Sequence, residues 1–126
     1  MKLLSASILA AALLAGCGSM STAPDTPTRT SEGVLIGPTG MTLYTFDRDA
    51  AGSSKSACNG PCATNWPPLS VADNAKDMGA YTIIVRDDGK KQWTYKGWPL
   101  YYWSKDTKTG DKTGDGFNGV WKVARP

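Results

Sequence analysis

Histidine is absent from this chain. That absence removes Ser-His-Asp and Cys-His catalytic sets, imidazole acid–base chemistry, and His-ligated zinc or haem. Cysteine is scarce at three residues, too few for a four-cysteine zinc site. No block of like charge occurs: the formal charge of +3 comes from interspersed lysine, arginine and acidic residues, which gives no footprint for nucleic acid. There is also no apolar run long enough to span a bilayer. The longest, Leu3 to Ala15, reaches only ~20 Å as a helix. A hydrocarbon core is about 30 Å thick. Nothing in the chain calls for a cofactor or a metal, and no catalytic motif is present, so an enzyme is not expected.

What is present begins with an address. Lys2 followed by the short apolar run makes residues 1–16 a signal peptide. Leu14-Ala15-Gly16-Cys17 resembles the lipobox of bacterial lipoproteins. The resemblance implies cleavage before Cys17 and acyl chains, palmitate among them, on its thiol. Each buried CH₂ contributes about 0.8 kcal/mol, so two or more chains anchor stably. The membrane is then a partner through Cys17. The non-acidic Gly18 implies the outer membrane, facing the periplasm or the cell surface, rather than the inner one. Residues 17–32 are rich in Ser, Thr and Pro and read as a lipidated cysteine with a flexible tether.

The remainder, 33–126, is one small domain by length. Strand signals dominate it. Val34-Leu35-Ile36 and Met41 to Phe46 flank the turn Gly37-Pro38-Thr39-Gly40 and read as a hairpin. Tyr81 to Arg86 is the strongest strand by residue type, and Asp87-Asp88-Gly89-Lys90 turns it back into Lys91 to Tyr95. Runs at Leu100–Trp103 and Gly119–Ala124 follow. Short helical turns fit near Asn59–Trp66 or Ala72–Lys76 at most. The expected fold is mainly β.

The chain repeats itself. Gly40-Met41-Thr42-Leu43-Tyr44-Thr45-Phe46-Asp47-Arg48-Asp49 aligns with Gly97-Trp98-Pro99-Leu100-Tyr101-Tyr102-Trp103-Ser104-Lys105-Asp106 at an offset of 57. Trp66 and Trp121 match at an offset of 55. Tyr44-x-Phe46-x-x-Asp49 and Tyr101-x-Trp103-x-x-Asp106, with Cys58, Cys62 and Trp66-Pro67-Pro68-Leu69 between them, resemble bacterial lipoproteins that carry a secreted repeat of unknown function. That resemblance implies two pseudo-symmetric β repeats. It names no reaction.

On a strand, residues two apart share a face. Tyr44 and Phe46 therefore point one way and Leu43 the other, as do Tyr101, Trp103 and Leu100. Neither repeat is large enough to bury both faces alone. The rings, with Trp66 and Trp121, are either shared core or an exposed platform for a glycan or an envelope protein. Asp49 and Asp106 either accept backbone N–H groups in turns or form a paired-carboxylate site. Asp111 and Asp115 lie in a lysine-rich loop without calcium-site spacing.

Cys58 and Cys62, spaced C-x₃-C in an exported domain, read as a disulfide, with redox or metal work as the alternative. Three functions follow from these features. The first is a non-catalytic lipid-anchored envelope module that binds an envelope protein or glycan. The second is a redox or electron-transfer accessory using Cys58, Cys62 and the aromatics. The third is a carboxylate hydrolase using Asp49 and Asp106.

Overall fold

The computed structural model describes residues 26–126. The signal peptide and Cys17 lie outside the described residues. Among the described residues, no helix is long and apolar enough to cross a membrane.

The architecture is mainly β, in three small antiparallel sheets. Strands β1 (Arg29–Ser31) and β2 (Val34–Ile36) pair through the two-residue turn Glu32-Gly33. Both turn residues have positive φ, 51° and 80°, matching the twist that a tight hairpin needs. Strand β3 (Tyr44–Phe46) pairs with the last strand, β7 (Trp121–Val123). Strands β4 (Tyr81–Val85), β5 (Lys91–Tyr95) and β6 (Trp98–Pro99) form the third sheet. Among the described residues there is one short α-helix, α1, spanning Pro61–Asn65, with Pro61 opening its first turn, where a missing N–H costs nothing. A 3-10 turn lies at Phe117–Gly119.

Two expectations need correction. Residues 29–31, counted with the tether, are a strand, and Thr28 beside them is buried. β2 forms its regular ladder with β1, and the expected hairpin with Met41–Phe46 is present but short: Gly37 N donates to Met41 O and Leu43 N to Leu35 O on either side of the Ile36–Thr42 bridge. The run at Leu100–Trp103 is not a regular strand. The regular strand is Trp98–Pro99, just before it, and Tyr101 makes isolated bridges to Tyr44 and Pro68.

Those bridges reveal how the repeats assemble. Tyr44 and Tyr101 exchange backbone bonds, N–H to C=O at 2.8 and 3.0 Å, about the pseudo-twofold axis. On one side of it Leu35 N donates to Ala124 O, Ala124 N to Leu43 O, and Leu43 N to Leu35 O. On the other side Trp93 N donates to Leu69 O, Leu69 N to Leu100 O, and Leu100 N to Trp93 O. The two rings of bonds are equivalent. In each, the third member comes from the far end of the other repeat. Each copy thus lends its C-terminal segment to its neighbour: Trp66–Ser70 completes the second half, and Trp121–Arg125 completes the first.

The side chains of these six residues form one core: Leu35, Leu43, Leu69, Trp93, Leu100 and Ala124. The opposite faces of the same segments form the other, with Tyr44, Phe46, Trp66, Tyr101, Trp103 and Trp121. The period-two alternation around Leu43 and Leu100 therefore divides two cores rather than inside from outside.

Candidate functional site

The motif rings meet at the axis. Phe46, Trp121, Trp66 and Trp103 stack in that order, with centroids 4.2, 3.8 and 4.0 Å apart. The central pair, Trp121 and Trp66, is parallel to within 2°. Phe46 is to Trp121 what Trp103 is to Trp66, so the stack has the symmetry of the chain. Tyr44 packs edge-on against Trp66, and Tyr101 edge-on against Trp121. Such contacts contribute ~0.5–1.5 kcal/mol beyond area burial.

The motif tyrosines and aspartates pair crosswise. The Tyr44 hydroxyl donates to Asp106 Oδ2 at 2.7 Å, and the Tyr101 hydroxyl donates to Asp49 Oδ2 at 2.6 Å. The other oxygen of each carboxylate closes its own loop. Ala57 N donates to Asp49 Oδ1 at 2.7 Å, while Thr113 N and its hydroxyl donate to Asp106 Oδ1 at 3.0 and 2.6 Å. Tyr44 and Tyr101 are both 0% exposed, and Asp49 and Asp106 are 3% and 9% exposed. The spacing Tyr-x-aromatic-x-x-Asp is thus a device for locking two copies together. The Tyr and the ring face the shared core, and the Asp ends the turn where the other copy's Tyr arrives.

Burial sets the electrostatics. It pushes the Tyr44 phenol well above its usual range, and the hydrogen bond to Asp106 adds to this. The Tyr101 phenol is raised by burial and then by its bond to Asp49. Burial also raises Asp49, against the lowering effect of Tyr101, Ala57 N–H and the Arg86 charge.

Arg86 is the residue that sequence reasoning missed. Its guanidinium is buried at 3% exposure, with Nη1 donating to Ser56 Oγ at 2.9 Å and Gln92 Oε1 at 2.7 Å, and Nη2 donating to Cys58 O. The Ser56 hydroxyl lies 2.7 Å from that of Tyr101. Gln92 Nε2 continues to Leu100 O at 2.8 Å. One polar chain therefore runs Asp49–Tyr101–Ser56–Arg86–Gln92. No local pattern marks an arginine at the end of a strand as buried, so the sequence carried no signal for it.

Cys58 and Cys62 form a disulfide. Cys58 is fully buried against the aromatic stack. The eight residues named as a possible binding surface (Tyr44, Phe46, Asp49, Trp66, Tyr101, Trp103, Asp106 and Trp121) are all buried. Of the two expectations for them, burial selects shared core over exposed platform. Asp49 and Asp106 are brought into separate loops with separate partners, not onto one another. Among the described residues, no group of three or more Cys, Asp or Glu is placed to hold a metal ion.

Surface grooves remain. One, about 330 Å³, is lined by Thr39, Met41, Thr42, Pro67 and Tyr102 with the edge of Trp103 and Asp106. Another, about 360 Å³, is lined by Thr45, Tyr95, Lys96, Trp98, Lys122 and Arg125 among others.

Fold and interior together define a two-copy β module closed by reciprocal exchange of C-terminal strands, with its sequence motif spent on the closure. The profile of a family described as a secreted repeat of unknown function matches this chain twice, over residues 26–70 and 82–125. The chain belongs to that family. The matched segments begin with the hairpin strands and end with the exchanged ones, so each match is one structural copy. No curated protein and no solved structure matches the chain at a significant level.

Proposed function

We propose that this protein is a lipid-anchored, non-catalytic module of the cell envelope, held at a membrane by acyl chains on Cys17 and presenting its surface to an envelope protein or glycan. The observation that carries the non-catalytic reading is the complete use of the motif's polar atoms. Both tyrosine hydroxyls and all four carboxylate oxygens of Asp49 and Asp106 have partners inside the fold. No group there is left to bind or activate a substrate. The full burial of Cys58 supports a structural role for the Cys58–Cys62 bridge over the redox alternative.

Fractionation tests the anchor. The wild-type chain stays in the membrane pellet through salt washes, and Cys17→Ser releases it. A Cys17→Ser protein that still pellets overturns the anchor. Crosslinking in intact envelopes tests the binding role, and failure to capture either protein or wall glycan above a lipidated control overturns it. Thiol titration under mild reductant tests the bridge, which stays closed if it is structural.

A further inference from the structure

The two grooves described above are pseudo-symmetric equivalents. The motif alignment maps Thr39 onto Lys96, Met41 onto Trp98 and Thr45 onto Tyr102, and the tryptophan alignment maps Pro67 onto Lys122. The interior has kept its symmetry, while these paired surface positions have diverged. The first groove has an apolar lining with one carboxylate and no cation. The second sets a tryptophan, a tyrosine and three cations around one space.

We propose that the groove of Trp98, Lys96 and Arg125 binds a carboxylated sugar of an acidic glycan, with the ring of Trp98 under the sugar and the two cations on its carboxylate. The proposal rests on the reading of the module as a binding protein and names the ligand class. Trp98 is half-buried, and the other four tryptophans are buried. It is therefore the one tryptophan that is not buried, and it lines the groove. Lys96 stands on the turn between β5 and β6 at φ 51°, with its ammonium 5.2 Å from the Tyr95 ring. Among the described residues, the ion pairs are Lys112–Glu32 and Lys122–Asp47, so Lys96 and Arg125 stand in no ion pair; Arg125 Nη1 donates to Gly33 O at 3.4 Å. Asp115, the acidic side chain in the lining, accepts a bond from Val123 N at 3.1 Å.

The groove's walls disfavour an added peptide strand. That mode needs a row of free backbone N–H groups. Pro99 on β6 has none to give, and the Val123 N–H of β7 is taken by Asp115. What is left to recognise a ligand is a flat aromatic face and positive charge. A sugar ring with a carboxylate matches both, through apolar C–H contact and charge-assisted bonds.

The test uses the full chain in detergent micelles, titrated with trigalacturonate and with neutral maltotriose. Trigalacturonate should bind, shield Trp98 from acrylamide quenching, and lose about tenfold in affinity in Lys96→Gln/Arg125→Gln and in Trp98→Ala, with maltotriose weaker by a similar factor. If Trp98→Ala does not fold, Trp98→Phe keeps a stacking face and should retain binding. Thr39→Ala, in the equivalent groove, should leave binding unchanged. Equal binding of maltotriose overturns the proposal, as does unchanged affinity in Lys96→Gln/Arg125→Gln. Shielding of Trp98 by hexaglutamate or by phosphatidylglycerol vesicles, but not by the saccharide, also overturns it in favour of those ligands. Loss of the saccharide with envelope crosslinking intact removes this groove alone and leaves the binding module standing.

Discussion

The two copies differ in instructive places. In the first, the loop between the motif aspartate and its tryptophan is closed by the Cys58–Cys62 bridge, and a buried arginine braces it. In the second, the corresponding loop has no cysteine: Gly114 packs where a Cβ would lie 2.7 Å from the Trp66 ring, and Phe117 covers Trp66 and Trp103. Two unlike loops thus support one symmetric stack. The symmetric part is what the fold needs, and the asymmetric parts are where each copy took on its own means of support or its own surface.

The largest effects fall on the stack. Trp66→Ala and Trp121→Ala should each cost ~3–5 kcal/mol in denaturant unfolding, with Trp66→Ala the worse because it also loses the edge contact with Phe117, which has no counterpart at Trp121. A neutral result at either site would break the claimed equivalence. Next come the crossed pairs. Tyr44→Phe and Tyr101→Phe should each cost ~1.5–3 kcal/mol, since each leaves a buried carboxylate short of a donor. Tyr101→Phe should be the larger, because it leaves Asp49 with Ala57 N–H alone and takes a partner from Ser56, which in turn holds Arg86. After Tyr44→Phe, by contrast, Asp106 keeps both Thr113 donors, and the other loss is the acceptor of Gly114 N–H. Equal losses would mean that the arginine chain adds nothing.

Cys58→Ala/Cys62→Ala sharpens the difference between the loops. Closing so short a ring removes little entropy from the unfolded chain, so the loss should be about 2 kcal/mol, read from the same unfolding curves.

The tyrosines also give a pH dependence. Their folded pKa values lie above the ordinary 10.0, so the folded state keeps protons that the unfolded chain releases. Stability is fully present below pH 10 and falls as pH rises beyond it. Asp49 is raised too, so its contribution is present below its ordinary range and is lost as pH rises through its folded value. Melting curves against pH check both signs, and Tyr101→Phe should flatten the alkaline fall. The smallest effect belongs to the groove: Lys96→Gln should change stability by no more than about 0.5 kcal/mol, since the side chain is exposed.

Much of this was readable beforehand. The doubled motif, the Asp87–Lys90 turn and the alternation at Leu43 and Leu100 follow from local pattern, because period and turn chemistry are local. The exchange of Trp66–Ser70 and Trp121–Arg125 was not readable. Which strand a segment joins depends on packing across the whole chain, and both segments suit either partner. Strand β1 was hidden for another reason: Arg29–Ser31 is exposed along its length and has no apolar residue to announce it. The motif's role was half readable. Its spacing showed a shared face, but only the fold shows that Tyr44 reaches Asp106 rather than Asp49.

Neither copy closes without the other's last strand. Residues 26–80 and 81–126, prepared separately, test it by amide-proton NMR. Each fragment alone should give the narrow dispersion of an unfolded chain, and mixing should restore one dispersed spectrum. A first fragment that folds alone, its own Trp66–Ser70 replacing Trp121–Arg125, would contradict the account.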